Sequence, residues 1–244
     1  MGRLLALLYG VICYAIFFVT FLYAIGFVGN LYVPKGIDSN PTTSFAEALL
    51  VDALLLGVFA VQHSVMARPA FKAWWTRIVP PAVERSTYVL FASLALILLF
   101  SQWRPIGGTI WTVENASLQT VLWVLFALGW GMVLIATFLI NHFDLFGLRQ
   151  VYLNYQGRPY TPPKFGTPFL YKFVRHPIYL GFIIAFWSTP HMTAAHLVFA
   201  IATTVYILIA IQFEEHDLVA SIGKPYEDYR RQVPMILPIP KGRN

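Results

Sequence analysis

Long apolar runs alternate with short polar ones along the chain, and their lengths set the first reading. A helix crossing a bilayer needs about 20 predominantly apolar residues. Leu4–Val28, Phe45–Met66, Thr87–Trp103 and Leu118–Ile140 qualify, the third being the shortest. From Ile178 to Phe213 the chain is again almost wholly apolar, interrupted only at Ser188-Thr189-Pro190-His191. Within it, Ile178–Pro190 is too short to cross untilted, whereas Ala194–Phe213 is long enough. The pattern predicts four ordinary spans followed by a helical hairpin whose first arm is broken or re-entrant. The fold class is therefore all-α: a polytopic membrane bundle of five to six membrane segments.

Between these runs, Asn141–Lys172 is the longest polar connection. Its Gly157, Pro159, Pro162, Pro163, Gly166 and Pro168 predict turns rather than a continuous helix. After Phe213, residues Glu214–Ile222 read as a helical continuation ended by Gly223 and Pro225, and Tyr226 and Tyr229 then share a short helix face. The proline-punctuated segment from Val233 to Pro240 cannot be helical and is expected to lie along the protein or the interface. No polar stretch is long enough to bury a core of its own. One domain is expected over 1–244, with a four-span bundle in 1–140 and a loop, hairpin and tail in 141–244.

Composition agrees. Of 244 residues, 58% are hydrophobic and 11% charged, against about a quarter charged in soluble domains. The first apolar run is too long for a signal peptide and reads as a retained anchor. The single cysteine, Cys13, excludes an internal disulfide and reads as a packing residue. With six crossings, both termini and the loops after the second and fourth spans share one face. That face collects Arg68, Lys72, Arg77 and Arg85, then Arg149, Arg158, Lys164, Lys172 and Arg175, and a tail carrying Lys224, Arg230, Arg231, Lys241 and Arg243. The other receives Lys35 and Arg104. The positive-inside rule makes the crowded face, the termini and the C-terminal segment cytoplasmic. The net charge of +6 is then topology and contact with membrane lipids, and calls for no nucleic acid.

A hairpin entering just after His176 and returning at Glu214 brings Arg175, His176 and Tyr179 to the same surface as Glu214 and Glu215. His63, near the end of the second span, and His142, at the matching end of the fourth, arrive at that depth too. Ionisable groups inside membranes are costly and usually face a cavity. The alternative is that each histidine only caps a helix end. A metal held by His63, His142 and His176 is chemically conceivable, but no His-x₃-His pair or cysteine supports it, and no metal is expected. Asp52 lies eleven residues before His63, about three helical turns, on the same face, and is expected to bond a neighbouring helix. His191 and His196 are assigned no role.

Arg175-His176-Pro177-Ile178-Tyr179-Leu180-Gly181, then Glu214-Glu215-His216-Asp217-Leu218, then the run from Gly223 to Pro234, resemble the isoprenylcysteine carboxyl methyltransferase-like superfamily of membrane methyltransferases. The match covers roughly the last third of the chain. Upstream, the runs Gln62–Pro69 and Asn141–Val151 are similar to the bacterial methanethiol S-methyltransferases, related to the NnrU-like membrane proteins. The resemblance implies a bacterial inner-membrane enzyme that methylates methanethiol to dimethyl sulfide with S-adenosylmethionine bound at the cytoplasmic face.

The resemblance assigns the cofactor to Arg175, His176, Tyr179 and Glu214, with Gly181, Glu215, Tyr226 and Tyr229 beside them. In chemical terms, carboxylates suit the donor's cationic and hydroxyl groups, and Arg175 with His176 suits its carboxylate. Gly181 would allow close backbone approach. For a thiol acceptor the nucleophile is the thiolate. His142 and His63 are candidate bases, Asp144 an orienter and Arg149 a group to stabilise the anion. Two other readings remain open at this point: a lipidic acceptor, either a prenylcysteine carboxylate or a phospholipid amine, and a non-catalytic membrane protein. Oligomeric state is not legible.

Overall fold

The computed structural model describes residues 2–41 and 43–239; Pro240, Lys241 and Arg243 lie outside the described residues. Among the described residues, five helices are long and apolar enough to cross a membrane: α1 (Arg3–Gly29), α2 (Phe45–Ala67), α4 (Pro81–Gln102), α5 (Ala116–Ile140) and α9 (Ala194–Ile222). Between α2 and α4 lies the short α3 (Pro69–Trp75). Local chemistry sets several ends. Ser44 accepts from the Glu47 N–H at 3.4 Å and starts α2, and Asn115 accepts from Leu118 at 3.1 Å and starts α5. Both satisfy N–H groups the helix cannot. Asn30 and Asn141 close α1 and α5 in the left-handed region, at φ 53° and 99°. α4 begins six residues before its apolar run does. Pro81 sits in its first turn, where a missing N–H costs nothing, so Glu84 and Arg85 belong to the helix.

Contacts divide the chain into two units whose segments alternate along the sequence. The first takes the residues up to Thr109 with His142–Pro162 and Thr193–His196; the second takes Ile110–Asn141, Pro163–Met192 and the chain from Leu197 on.

In the first unit, α1, α2 and α4 pack together, and two short helices dock on them: α6 (His142–Leu145) and α7 (Leu148–Tyr155). The connection read as turns is thus helical up to Tyr155. Every turn-forming glycine and proline that motivated that reading lies beyond it, from Gly157 on. Val151 is fully buried with Ala6 and Val83. It fits because Gly10 of α1 lacks a side chain: a Cβ there would stand 2.5 Å from Val151. Gly147, at φ 87°, turns the chain tightly against Ser86, whose hydroxyl donates to its carbonyl at 3.3 Å. These contacts hold α6 in place.

At the other end of this unit Asp52 is fully buried and accepts from the Arg104 N–H at 2.8 Å; the bond expected to a neighbouring helix goes to the backbone just past the end of α4. Asp38 accepts from Asn30 at 2.7 Å and from Thr193, with His196 at 3.5 Å. Burial alone would raise the Asp38 carboxyl; the bonds from His196, Thr193 and Asn30 outweigh it and hold it below its ordinary value.

In the second unit, α8 (Pro177–Trp187) packs along α5. The crossing is close because two glycines face each other: a Cβ on Gly181 would lie 2.7 Å from the Gly129 carbonyl oxygen. Trp130 meets Phe182 and Phe186 edge-on beside it. With 11 residues, α8 rises only about 16 Å. The chain then turns: the Thr189 N–H donates to the Trp187 carbonyl at 3.1 Å and the Thr189 hydroxyl to the His191 carbonyl at 2.8 Å, and β2 (His191–Thr193) follows. The first hairpin arm is therefore a short helix, a turn and a three-residue strand. β2 pairs with β1 (Thr109–Thr112), a two-stranded sheet the apolar pattern did not announce. After α9, Gly223 turns the chain into α10 (Lys224–Gln232), which ends at Val233.

Candidate functional site

The second unit holds eight of the twelve residues singled out in the sequence and gathers seven of them. Pro177 starts α8 and leaves Arg175 and His176 in the connection before it, facing the end of α9. Their backbone N–H groups donate to the carbonyls of Pro234 and Met235 at 2.9 and 3.1 Å, so the proline-rich tail lies along the protein here. The adjacent carboxylates of α9 part company, because successive helical residues point about 100° apart. Glu215 is 7% exposed and Glu214 42%.

Glu215 is an internal anchor. Its Oε1 accepts from Arg175 Nε and Nη2, both at 2.7 Å, and stands 3.0 Å from His176 Nε2. Arg230 Nε of α10 approaches its Oε2 at 3.3 Å. Arg175 Nη1 donates to the carbonyls of Arg230 and Val233. The guanidinium expected to meet a ligand's carboxylate thus spends its donors on Glu215 and on the start of the tail.

Glu214 faces outward beside it. Its Oε2 accepts from Tyr179 at 2.8 Å and lies 3.9 Å from His176 Nδ1. Tyr226 is 2% exposed, and its hydroxyl has no hydrogen-bond partner among the described residues. A buried donor without an acceptor costs free energy, which a ligand oxygen would recover. Tyr229 donates to the Tyr171 carbonyl at 2.6 Å. Burial, reinforced by the Glu215 charge, pushes the Tyr226 phenol well above its ordinary value and that of Tyr229 up to about 12; both are neutral donors. Phe165 packs edge-on against both rings and borders a cavity of about 580 Å³ with Leu139, Ile140 and the Lys164–Pro168 connection. Gly181 sits apart from these groups. The close approach it permits is to α5.

The first unit holds the other four, in three settings. His142 is 2% exposed, with its Nε2 2.9 Å from the Tyr14 hydroxyl of α1. His63 lies against Tyr88 of α4, whose hydroxyl is 3.0 Å from Nε2. Asp144 accepts from Arg149 at 2.9 Å and from Tyr160 at 3.1 Å, and Arg149 also donates to the Thr161 carbonyl at 2.6 Å. Burial lowers His142 below its ordinary value. It is a neutral imidazole at physiological pH, able to accept a proton.

Four residues enter the picture that the sequence reading did not single out for the site: Tyr14, Tyr88, Tyr160 and Arg230. Each tyrosine is a lone phenol near a polar group, a signal drowned by thirteen tyrosines. Among the described residues no group of three or more His, Cys, Asp or Glu is placed to hold a metal ion.

Comparison with known proteins follows the same outline. A methanethiol S-methyltransferase of Crocosphaera subtropica is 61% identical over 238 residues, covering 98% of this chain and 93% of that protein. One from Mycobacterium tuberculosis is 58% identical over 240 residues, 98% of each chain. Nurim of Rattus norvegicus is 30% identical over 183 residues, 72% of this chain and 70% of its own length. No family model and no solved structure matches the chain.

Proposed function

Because the chain belongs to the family of the methanethiol S-methyltransferases, we propose that it methylates methanethiol to dimethyl sulfide with S-adenosylmethionine as the methyl donor. Two observations carry the donor assignment: Glu214 is half-exposed and braced by Tyr179, and the buried Tyr226 hydroxyl has no partner among the described residues. An acceptor for cationic or hydroxyl groups and a buried donor in want of an acceptor fit a ligand that carries an ammonium, a carboxylate and a ribose. Bound there, the donor supplies an electrophilic methyl group on a sulfonium.

The chain's own residues divide the remaining work. Arg175, Glu215, His176 and Arg230 form a rigid frame that fixes the end of α9 and the tail. Glu214, Tyr179, Tyr226 and Tyr229 hold the donor, and Phe165 shields it from water. His142 accepts the thiol proton; Asp144 and Arg149 brace the connection that follows it. Orientation and proximity supply much of the acceleration in such a transfer.

The protein is an integral membrane protein by its five long apolar helices. We place the hairpin's polar end and both termini on the cytoplasmic side of the inner membrane, in keeping with the basic residues of the adjoining connections. The test is headspace detection of dimethyl sulfide from membranes containing the chain, supplied with methanethiol and S-adenosylmethionine. Methylation of a prenylcysteine in place of methanethiol would overturn the acceptor assignment.

A further inference from the structure

His63 and His142 each rest against one phenol, but their surroundings differ. Beside His63 the Arg85 guanidinium lies 4.9 Å over the Tyr88 ring. His142 sits edge-on to Tyr14, Phe143 and Phe146, with ring centroids 5.7, 5.4 and 4.8 Å away. Phe17 stacks on Phe146 at 3.8 Å. Charged groups also come from the elements around it: Arg85 of α4 donates to the Leu145 carbonyl, Arg149 of α7 to Asp144 and the Thr161 carbonyl, and Asp144 of α6 accepts from Arg149 and Tyr160. From α1 comes Tyr14.

We infer that Tyr14 is a catalytic residue on the acceptor side, carrying the proton of a small neutral alkyl thiol to His142. The inference rests on the methyl-transfer reading above. His142 Nε2 faces the Tyr14 oxygen at 2.9 Å, so a proton bound for that nitrogen passes through the phenol. In the step the S–H bond breaks and its proton binds the Tyr14 oxygen, while Tyr14's own proton moves to Nε2. The sulfur keeps the electron pair and becomes the thiolate nucleophile. Tyr14 is neutral before and after, and the imidazolium of His142 then returns its proton to water. The burial that holds His142 below its ordinary value keeps it unprotonated for this purpose. The aromatic surround suits sulfur, which makes favourable contacts with ring edges.

The test uses the full chain in membranes or detergent. Tyr14→Phe is expected to lower turnover of methanethiol about as far as His142→Ala, by roughly 10² or more, with S-adenosylmethionine affinity by calorimetry unchanged. The double variant falls no further. An aryl thiol, already ionised at neutral pH, restores turnover in all three, which no misfolded protein would show. A readout apart from turnover is the thiolate ultraviolet absorbance that appears when methanethiol is added to donor-free wild type and is absent from Tyr14→Phe. Turnover of Tyr14→Phe within about twofold of wild type, loss of donor affinity, or no rescue by the aryl thiol overturns the relay. Wild type that forms the thiolate yet makes no dimethyl sulfide keeps the relay and removes the methyl-transfer reading.

Discussion

The two polar regions solve the same problem in opposite ways. At the hairpin end of the second unit, full charges are brought together and satisfied by one another: one carboxylate, Glu215, takes two guanidinium groups and an imidazole. In the first unit, His142 and His63 rest against single phenols. Buried charges that pair in good geometry fix structure, and losing one partner leaves the other uncompensated. A buried imidazole beside a phenol keeps its proton count open to change. The first arrangement suits a frame that holds a charged donor, the second a proton transfer.

The largest expected effect breaks the frame. Glu215→Ala leaves the buried Arg175 unpaired, at a cost of about 3–5 kcal/mol. The variant should fail to purify folded, or melt far lower in a detergent melting assay, and lose all activity. His142→Ala should fold and keep its affinity for S-adenosylmethionine while turnover drops by about 10² to 10⁴. That loss should shrink as pH rises, because thiolate then forms without a base. In the wild type, burial holds His142 below its ordinary value, so turnover should be flat through neutral pH and fall only in more acid medium, where the imidazole gains its proton. If His142→Ala and His63→Ala both keep full turnover at neutral pH, the histidines only end helices and the contrast between the regions collapses.

Glu214→Ala separates the two adjacent carboxylates. With its side chain 42% exposed, it should cost little stability. Losing a charged hydrogen-bond partner, about 1.5–3 kcal/mol, should weaken donor binding roughly tenfold to a hundredfold by calorimetry. Near-normal affinity would remove Glu214 from the site. The smallest effect belongs to Tyr226→Phe. It deletes a hydroxyl that has no hydrogen-bond partner among the described residues, so the melting temperature should hold or rise while donor affinity falls by about 0.5–1.5 kcal/mol. A fall in both would give the hydroxyl a structural role.

Much of the architecture was legible because a membrane span is a one-dimensional signal. Run length gave the four spans and the long second arm of the hairpin. Antiparallel return gave the meeting of Arg175, His176 and Tyr179 with the end of α9. The turn residues between 156 and 168 were read correctly, but the eight residues of α7 were drowned by them. Their helicity depends on Val151 reaching the gap at Gly10, a contact far away in sequence. β1 and β2 were invisible for the same reason, since a strand pair eighty residues apart leaves no local periodicity.

What the sequence determined by itself was the set of chemical groups and the ends of the apolar runs at which they gather, because charges are costly in hydrocarbon. What only the tertiary structure decided was the pairing. Glu214 and Glu215 are identical in sequence terms; the direction each takes from α9 makes one the partner of Arg175 and leaves the other exposed. Gly181 looked like room for a ligand and is room for Gly129. Tyr14, unmarked among thirteen tyrosines, lies within hydrogen-bond distance of His142. Such choices turn on distances of a few ångströms between segments remote in the chain, where burial makes each hydrogen bond either made or costly.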